Sequence, residues 1–415
     1  MVGFRNIYSQ IYKKSGIFQR FIKCFSGIYL TFNYNKLSGQ MKGTRRDFIR
    51  KSSVAAVMSA AGFKAVSASE VPGYVKTREK PYIPDAGIKM CFAYFRGIEA
   101  ENRKIQFGKQ LNVLGAVGGI NPAMVGLKNV NAWEYEAVST VKKAWEKEGL
   151  TLEVIEGPPS LGERTKLGLD GRDEEISNFI ILMKNLAKAG INTICYNWMP
   201  VISWARTTTD RPSRGGALVT AFDFEDIKDN TLTKYGQVSK ETLWANLEYF
   251  LKAVVPEAEK LGMKLAMHPD DPQVDMIRGI SRIMTTTGAF RKMFDIYPSP
   301  SNGLTMCQGN FSLMGADIPS LVREFGKRGL IHFVHFRNVR GGKMNFVETF
   351  HDEGQIDMYA AMKAYIDIGF RGPLRPDHVP TMAGDSNDSP GYSALGSLYA
   401  AGYIRGLIEA VAKNG

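Results

Sequence analysis

From residue 87 onward, short and almost unbroken apolar runs alternate with longer segments whose apolar side chains recur every three to four positions. The short runs are residues 87–95 (GIKMCFAYF), 111–120 (LNVLGAVGGI), 151–157 (TLEVIEG) and 193–201 (TICYNWMPV), followed by 264–271 (KLAMHPDD), 303–310 (GLTMCQGN), 330–338 (LIHFVHFRN) and 372–378 (GPLRPDH). Continuous rather than alternating apolar runs are what parallel strands covered on both faces require. Residues 131–149, 173–190, 240–262, 357–369 and 392–413 predict helices. The second of these starts acidic at Asp173-Glu174-Glu175 and ends at Gly190 after Lys188, in keeping with the helix dipole and glycine capping. Pro256 predicts a kink or break in the third. Residues 203–239 read as a long polar connection after the fourth strand, of the kind that covers an active site. Eight strands alternating with helices predict an α/β protein, a (β/α)8 TIM barrel forming a single catalytic domain over residues 69–415.

Charge distribution changes what the composition suggests. The 415 residues are 44% hydrophobic and carry a net charge of +12, which taken alone would suggest a nucleic-acid partner. Residues 1–68 hold 12 Lys/Arg and one acid, Asp47, which leaves 41 basic and 40 acidic side chains beyond them. The nearly neutral remainder has no phosphate-backbone footprint, so no nucleic-acid partner is expected. Within the basic segment, Thr44-Arg45-Arg46-Asp47-Phe48-Ile49-Arg50-Lys51 is a twin-arginine pattern. A short run of small apolar residues follows to Phe63, and Val66-Ser67-Ala68 offers small side chains to a signal peptidase. A twin-arginine signal cleaved near Ala68, with a periplasmic destination, is the expectation; the alternative is a disordered basic tail. The apolar run is too short for a membrane span. Either Met1 or Met41 can be the start. Cys24 lies in this segment, and Cys91, Cys195 and Cys307 remain without any CxxC pair, so disulfides are not expected to hold the fold.

Candidate chemistry gathers at the ends of the last four apolar runs: His268, Cys307, His335, and Asp377 with His378. Strand periodicity puts Ile331, Phe333 and His335 on one face and His332 and Val334 on the other, so the two histidines cannot share one central ion. His335, nearer the C-terminal end, is the better ligand, and His332 reads as a buried, hydrogen-bonded core histidine. Arg375 and Asp377 share a face of the eighth strand. Two imidazoles, a thiolate and a carboxylate argue against Mg²⁺ or Ca²⁺ and suit Mn²⁺, Fe²⁺, Co²⁺ or Zn²⁺; Mn²⁺ or Fe²⁺ is the cofactor expected here. Asp270 and Asp271 are candidates to orient a ligand, or else to rigidify their loop.

These residues sit in longer stretches that resemble the mannonate dehydratase family, the metal-dependent barrels of hexuronate catabolism. The matching motifs are Cys195-Tyr196-Asn197-Trp198-Met199-Pro200-Val201, Trp244-Ala245-Asn246-Leu247-Glu248-Tyr249-Phe250 and His268-Pro269-Asp270-Asp271-Pro272, then His335-Phe336-Arg337-Asn338-Val339, Arg375-Pro376-Asp377-His378 and Pro390-Gly391-Tyr392. The resemblance spans Lys166 to Ala410. It implies His268, Cys307, His335 and Asp377 as metal ligands and His378 with Tyr392 as the proton-transfer pair. The chain departs from the family pattern at Ala93–Gly97, at Gly126–Val130, which has no His, and between His378 and Tyr392.

The implied reaction is dehydration of a sugar acid such as D-mannonate to 2-keto-3-deoxy-D-gluconate. His378 suits either proton role, because its ordinary pKa lies near neutrality. Tyr392, which starts near 10, needs a lowered pKa to act as the base. Arg337, Arg206 and Asn197 are candidate substrate-orienting groups; for Arg206 the alternative is a surface-loop salt bridge. The partner expected is a small-molecule sugar acid, and a homo-oligomeric state stays open. Three rival readings remain: an isomerase or epimerase of the xylose-isomerase kind using Glu153 or Glu156, a non-catalytic exported sugar-acid-binding protein, and, more weakly, a metal-dependent nuclease.

Overall fold

The computed structural model describes residues 85–414. The twin-arginine pattern, the cleavage position, Cys24 and the start of the 69–415 domain lie outside the described residues.

In chain order the strands are β1 (Lys89–Ala93), β2 (Gly115–Gly118), β3 (Thr151–Glu156), β4 (Thr193–Asn197), β5 (Thr208–Pro212), β6 (Leu218–Asp223), β7 (Lys264–His268), β8 (Met276–Ile277), β9 (Ile280–Ser281), β10 (Asn302–Cys307), β11 (Ile331–Phe336), β12 (Val339–Gly342), β13 (Asn345–Glu348) and β14 (Pro373–Pro376). Eight of them, β1, β2, β3, β4, β7, β10, β11 and β14, form a closed parallel barrel in which each pairs with the next and β14 closes on β1. All eight apolar runs are therefore barrel strands, and the (β/α)8 expectation is met.

Two apolar layers explain why these sequences fold this way. Ile194, Tyr196, Leu265, Met267, Val334, Phe336 and Leu374 are buried in the cluster that also takes in the helices. Their odd–even partners Cys91, Val117, Val154, Cys195, Ala266 and Phe333 form a separate cluster inside the barrel. The helices supply matching stripes. Helix Tyr135–Lys147 buries Ala137, Val138, Val141 and Trp145, and helix Arg172–Lys188 buries Ile176, Phe179, Leu182, Met183 and Leu186, the spacing a single helical face dictates.

Two expectations are corrected. Of the kink or break expected at Pro256, the break does not occur: the segment is one continuous helix, Lys240–Leu261, capped by the Ser239 side chain at its start and by left-handed Gly262 at its end. Phe250, Leu251, Val254, Val255 and Ala258 stay buried through the proline, and that packing outweighs the ~3 kcal/mol that an interior proline costs. Residues 203–239 are not loop throughout. They contain β5 and β6, which join β13 and β12 in a four-stranded antiparallel sheet in the order β12-β13-β6-β5. Phe222 and Phe346 on this sheet pack with Val274, Leu313 and Val339, which fastens it to the barrel's C-terminal side.

His332 is buried on the helix-facing side, with Nδ1 3.1 Å from Leu265 O and Nε2 3.0 Å from Pro300 O. His351 is also buried, its Nε2 2.8 Å from Phe336 O. Burial pushes both down to about 4. The unfolded chain therefore binds protons that the folded chain refuses. Their contribution to stability is complete above pH ~6.5, the ordinary histidine value, and is lost as pH falls toward 4. The unfolding free energy from denaturant titrations should drop over that window with a slope approaching about 1.4 kcal/mol per pH unit for each histidine, and His351→Gln should flatten it. An unchanged slope in that variant would contradict the assignment.

Candidate metal centre and active site

The same two-residue period that fills the barrel builds the site one layer higher. Two residues beyond Val154, Cys195, Ala266 and Phe333 stand Glu156, Asn197, His268 and His335, and on β10 Cys307 follows Thr305. Register keeps them level: Asn197 pairs with His268, Cys307 with His335, and His335 with Arg375. Asp377 and His378 follow at the exit of β14.

His268, Cys307 and His335 offer donor atoms within 4.8 Å of one another. His268 Nε2 lies 3.1 Å from His335 Nδ1, Asp377 Oδ2 3.7 Å from the same Nδ1, and Cys307 Sγ 3.8 Å from Asp377 Oδ2. His268 Nδ1 is 2.7 Å from Pro269 O. A carbonyl can only accept, so the proton sits on Nδ1 and the Nε2 lone pair faces the cluster, as it does in a metal ligand held by an outer hydrogen bond. Burial lowers the His268 pKa and favours this neutral form. His335 Nε2 is buried without a hydrogen-bond partner, Glu156 Oε1 standing 3.5 Å away.

The surroundings are charged and closed. Arg375 grips Glu156 with Nη2 at 2.9 Å and Nε at 3.2 Å, and Asp377 Oδ1 with Nη1 at 2.6 Å. Arg337 Nε lies 3.2 Å from Asp377 Oδ2 and 3.3 Å from Cys307 Sγ; its other nitrogens meet Glu348, Asn310 and Asp271. Arg206 holds Asp271 at 2.5 and 3.0 Å and Glu348 at 2.6 Å. Burial alone would raise all four carboxyls, but the guanidiniums reverse it. Arg375 leads for Glu156, held down at about 2, and for Asp377, held well below the carboxylate range. Arg337 leads for Glu348, also about 2, and Arg206 for Asp271, below its ordinary value. Four carboxylates thus face three guanidiniums, and metal ligation would add the Cys307 thiolate. That donor set, its spacing and its surplus of negative charge fit one soft-tolerant divalent cation.

Across the same space stand His378 and Tyr392, ring centroids 5.5 Å apart. His378 adopts φ +38°, a strained left-handed conformation that aims its ring inward. Arg337 Nη1 lies 2.5 Å from His378 Nδ1, and Glu348 Oε1 3.0 Å from it. Nδ1 thus sits between a donor and an acceptor, both of which hold the ring from that side and leave Nε2 facing away from the pair. The Tyr392 hydroxyl donates toward Asp377 Oδ1 at 3.5 Å, and burial followed by the Asp377 charge pushes its pKa well up. This is the opposite of the lowering a base role requires. Trp204 roofs His378 at 5.6 Å.

A cavity of about 120 Å³ opens between these groups, lined by Glu156, Asn197, His268, His335, His378 and Tyr392 among others. A larger one, about 540 Å³, lies at the opposite barrel end around the strand starts. Its carboxylate Glu153 is 2.9 Å from Lys89, and none of the donors reaches it.

The structure therefore brings together His268, Cys307, His335, Asp377, His378 and Tyr392, with Asn197 on the cavity wall. Arg206 and Arg337 are fully buried in carboxylate pairs and do not line the cavity; the surface salt bridge considered for Arg206 is absent. Asp271 holds both arginines, whereas Asp270 accepts the backbone N–H groups of Ile283 and Met284 at 2.9 Å each and rigidifies its loop. Glu156 carried the same period-2 signal as the ligands. Glu348 carried none, because it lies on the hairpin of the antiparallel sheet. Arg206→Met should cost about 3–5 kcal/mol, since it strands buried carboxylates. The exposed Lys252→Ala should stay within about 0.5 kcal/mol. Urea unfolding compares them, and equal small effects would contradict the buried network.

A closed (β/α)8 barrel with mixed metal-type donors, a histidine and a tyrosine gathered at the C-terminal ends of its strands has the arrangement of a TIM-barrel enzyme. The D-mannonate dehydratase (UxuA) family model matches residues 89–234 and 224–415, and the chain belongs to that family. It is 37% identical over 337 residues to mannonate dehydratase 2 of Halalkalibacterium halodurans, covering 74% of this chain and 95% of that protein. It is 36% identical over 343 residues to the mannonate dehydratase of Thermotoga maritima, covering 74% and 94%. The crystal structure of mannonate dehydratase from Streptococcus suis serotype 2 matches with TM-score 0.72 at 35% identity, covering 79% of this chain and 95% of that one. A D-tagatose 3-epimerase-like protein, at 11% identity and TM-score 0.51, shares the fold alone. Family membership makes the chain a hydro-lyase, a sugar-acid dehydratase.

Proposed function

We propose that the substrate is D-mannonate, the product 2-keto-3-deoxy-D-gluconate and water, and that His268, Cys307, His335 and Asp377 hold one divalent cation, Mn²⁺ or Fe²⁺. The observation that carries this reading is the convergence of His268 Nε2, His335 Nδ1, Cys307 Sγ and Asp377 Oδ2, all but Cys307 lining the cavity that also holds His378 and Tyr392. The matches to mannonate dehydratases support the substrate.

When bound, the cation supplies Lewis-acid stabilisation of charge developing at the acid end of the substrate. The chain's own residues must do the rest. The C2–H bond breaks to a base, the C3–O bond breaks as that hydroxyl takes a proton and leaves as water, and the resulting enol becomes the ketone. His378 and Tyr392 are the two cavity groups suited to exchanging these protons. Arg337 and Glu348 together fix the His378 ring through Nδ1 and leave Nε2 for proton exchange. Asp377 orients the Tyr392 hydroxyl. The isomerase reading would enlist Glu156, but Arg375 occupies both its oxygens. The binding-protein reading leaves the paired His378 and Tyr392 without a purpose. Export by the twin-arginine route is likewise our reading, supported by the residue 44–51 pattern and the small residues before Ala68.

Purified protein supplied with Mn²⁺ should convert D-mannonate to the keto-deoxy acid, and a chelator should abolish turnover reversibly. His378→Ala and Tyr392→Phe should each lower kcat by roughly 10²–10⁴ while elemental analysis shows the metal retained. Full turnover in both variants would remove the assigned pair.

A further inference from the structure

One buried cation beside the cavity has no carboxylate in contact among the described residues. Lys166 lies on the short helix Glu163–Leu167 that follows β3 and is 8% exposed. Its Nζ makes its one hydrogen bond among the described residues to Asn197 Oδ1, at 3.1 Å. The carboxylates of Asp270, Glu175 and Glu163 act on it only from a distance. Arg206, Arg337 and Arg375, by contrast, are each matched by carboxylates at 2.5–3.2 Å or closer. Burial lowers the Lys166 pKa to about 8, which still leaves a cation at neutral pH.

Its position is built. Asn246 Nδ2 donates to Lys166 O at 3.2 Å, and Glu175 Oε2 takes the Thr165 N–H at 2.8 Å. A Cβ on Gly168, where φ is +69°, would fall 2.6 Å from the Asn246 side chain, so the tight exit of this helix is shaped around that clamp. Asn246 belongs to the Trp244–Phe250 motif, whose helix also takes the Trp198 indole N–H on Leu243 O at 3.1 Å. One helix thus fixes both Lys166 and the exit of β4.

At Asn197 the chemistry leaves no choice of amide orientation. Lys166 Nζ and the Met199 N–H, also 3.1 Å away, both donate and cannot accept, so the atom between them is the carbonyl oxygen. The amide Nδ2 is left over, with no protein acceptor among the described residues, on a side chain that lines the cavity level with His268.

We infer that Lys166 and Asn197 form an anion-recognition element, in which Asn197 Nδ2 donates to a carboxylate oxygen of the sugar acid and Lys166 acts as its positioning residue. The ammonium pins the amide in the donating orientation, and its uncompensated charge stands behind the N–H that meets the anion. This rests on the sugar-acid dehydratase reading and adds to it the group that recognises the acid end.

The test is a double-mutant cycle on the metal-loaded full chain, with kcat, KM, aldonate binding by calorimetry, metal content and thermal midpoint measured together. Lys166→Met and Asn197→Ala should each weaken aldonate binding and raise KM roughly ten- to a hundredfold with metal content unchanged. The double variant should be no worse than Asn197→Ala alone. Asn197→Asp keeps a partner for Lys166, so it should hold the thermal midpoint while raising KM at least as much. If Lys166→Met folds poorly, Lys166→Gln, which keeps a donor without the charge, should fall between wild type and Asn197→Ala. An unchanged KM in the folded Lys166 variants, or an equal effect of Lys166→Met with and without the Asn197 amide, overturns the inference. Wild-type protein that neither binds nor turns over any aldonate overturns the dehydratase reading itself, and this inference with it.

Discussion

Buried ionised carboxylates need cations in contact, and that requirement organises the mouth of this barrel. Glu156, Asp271, Glu348 and Asp377 would each be driven toward the neutral acid by burial, and three guanidiniums keep them charged. The arginines are themselves buried at the C-terminal ends of strands or just beyond, so removing any one leaves a largely buried carboxylate without its counter-ion. The pairing also aims the side chains. Arg375 ties β14 to β3 through Glu156, and Arg337 ties β11 to Asp377, Cys307 and His378. The donors stand close together because the network that neutralises them holds them there.

The antiparallel sheet over the mouth is part of the same arrangement. Glu348 comes from β13, yet it meets Arg337, Arg206 and His378. The β12–β13 hairpin thereby supplies a carboxylate to the C-terminal end of the barrel, and Trp204, from the segment that reads as a polar connection, roofs His378. The sheet is fastened by apolar packing around Phe222 and Phe346 and by these buried ion pairs, so its placement and the orientation of His378 are coupled.

Much of this was legible in the residues. Parallel strands buried on both faces leave unbroken apolar runs, so all eight could be found. The period of two within them separates His335 from His332 before any coordinates exist. What could not be read were relations that depend on three-dimensional closure. Pro256 argues locally for a break, but the buried stripe from Phe250 to Ala258 overrides it. Arg206 sits in a polar stretch and gives no sign that β5 and β6 will fold it inward against Asp271. Glu348 lies on a short hairpin with no feature beyond alternation. Lys166 looks like any helical lysine until the closed barrel brings its ammonium to Asn197.

The central claim is that one cation is held by two imidazoles, a thiolate and a carboxylate. X-ray absorption at the metal edge of the Mn²⁺-loaded protein addresses it most directly. The account predicts a coordination shell of nitrogen and oxygen with one sulfur, the sulfur disappearing in Cys307→Ser. A shell of oxygen alone, or one unaltered by replacing Cys307 and His268, would contradict it.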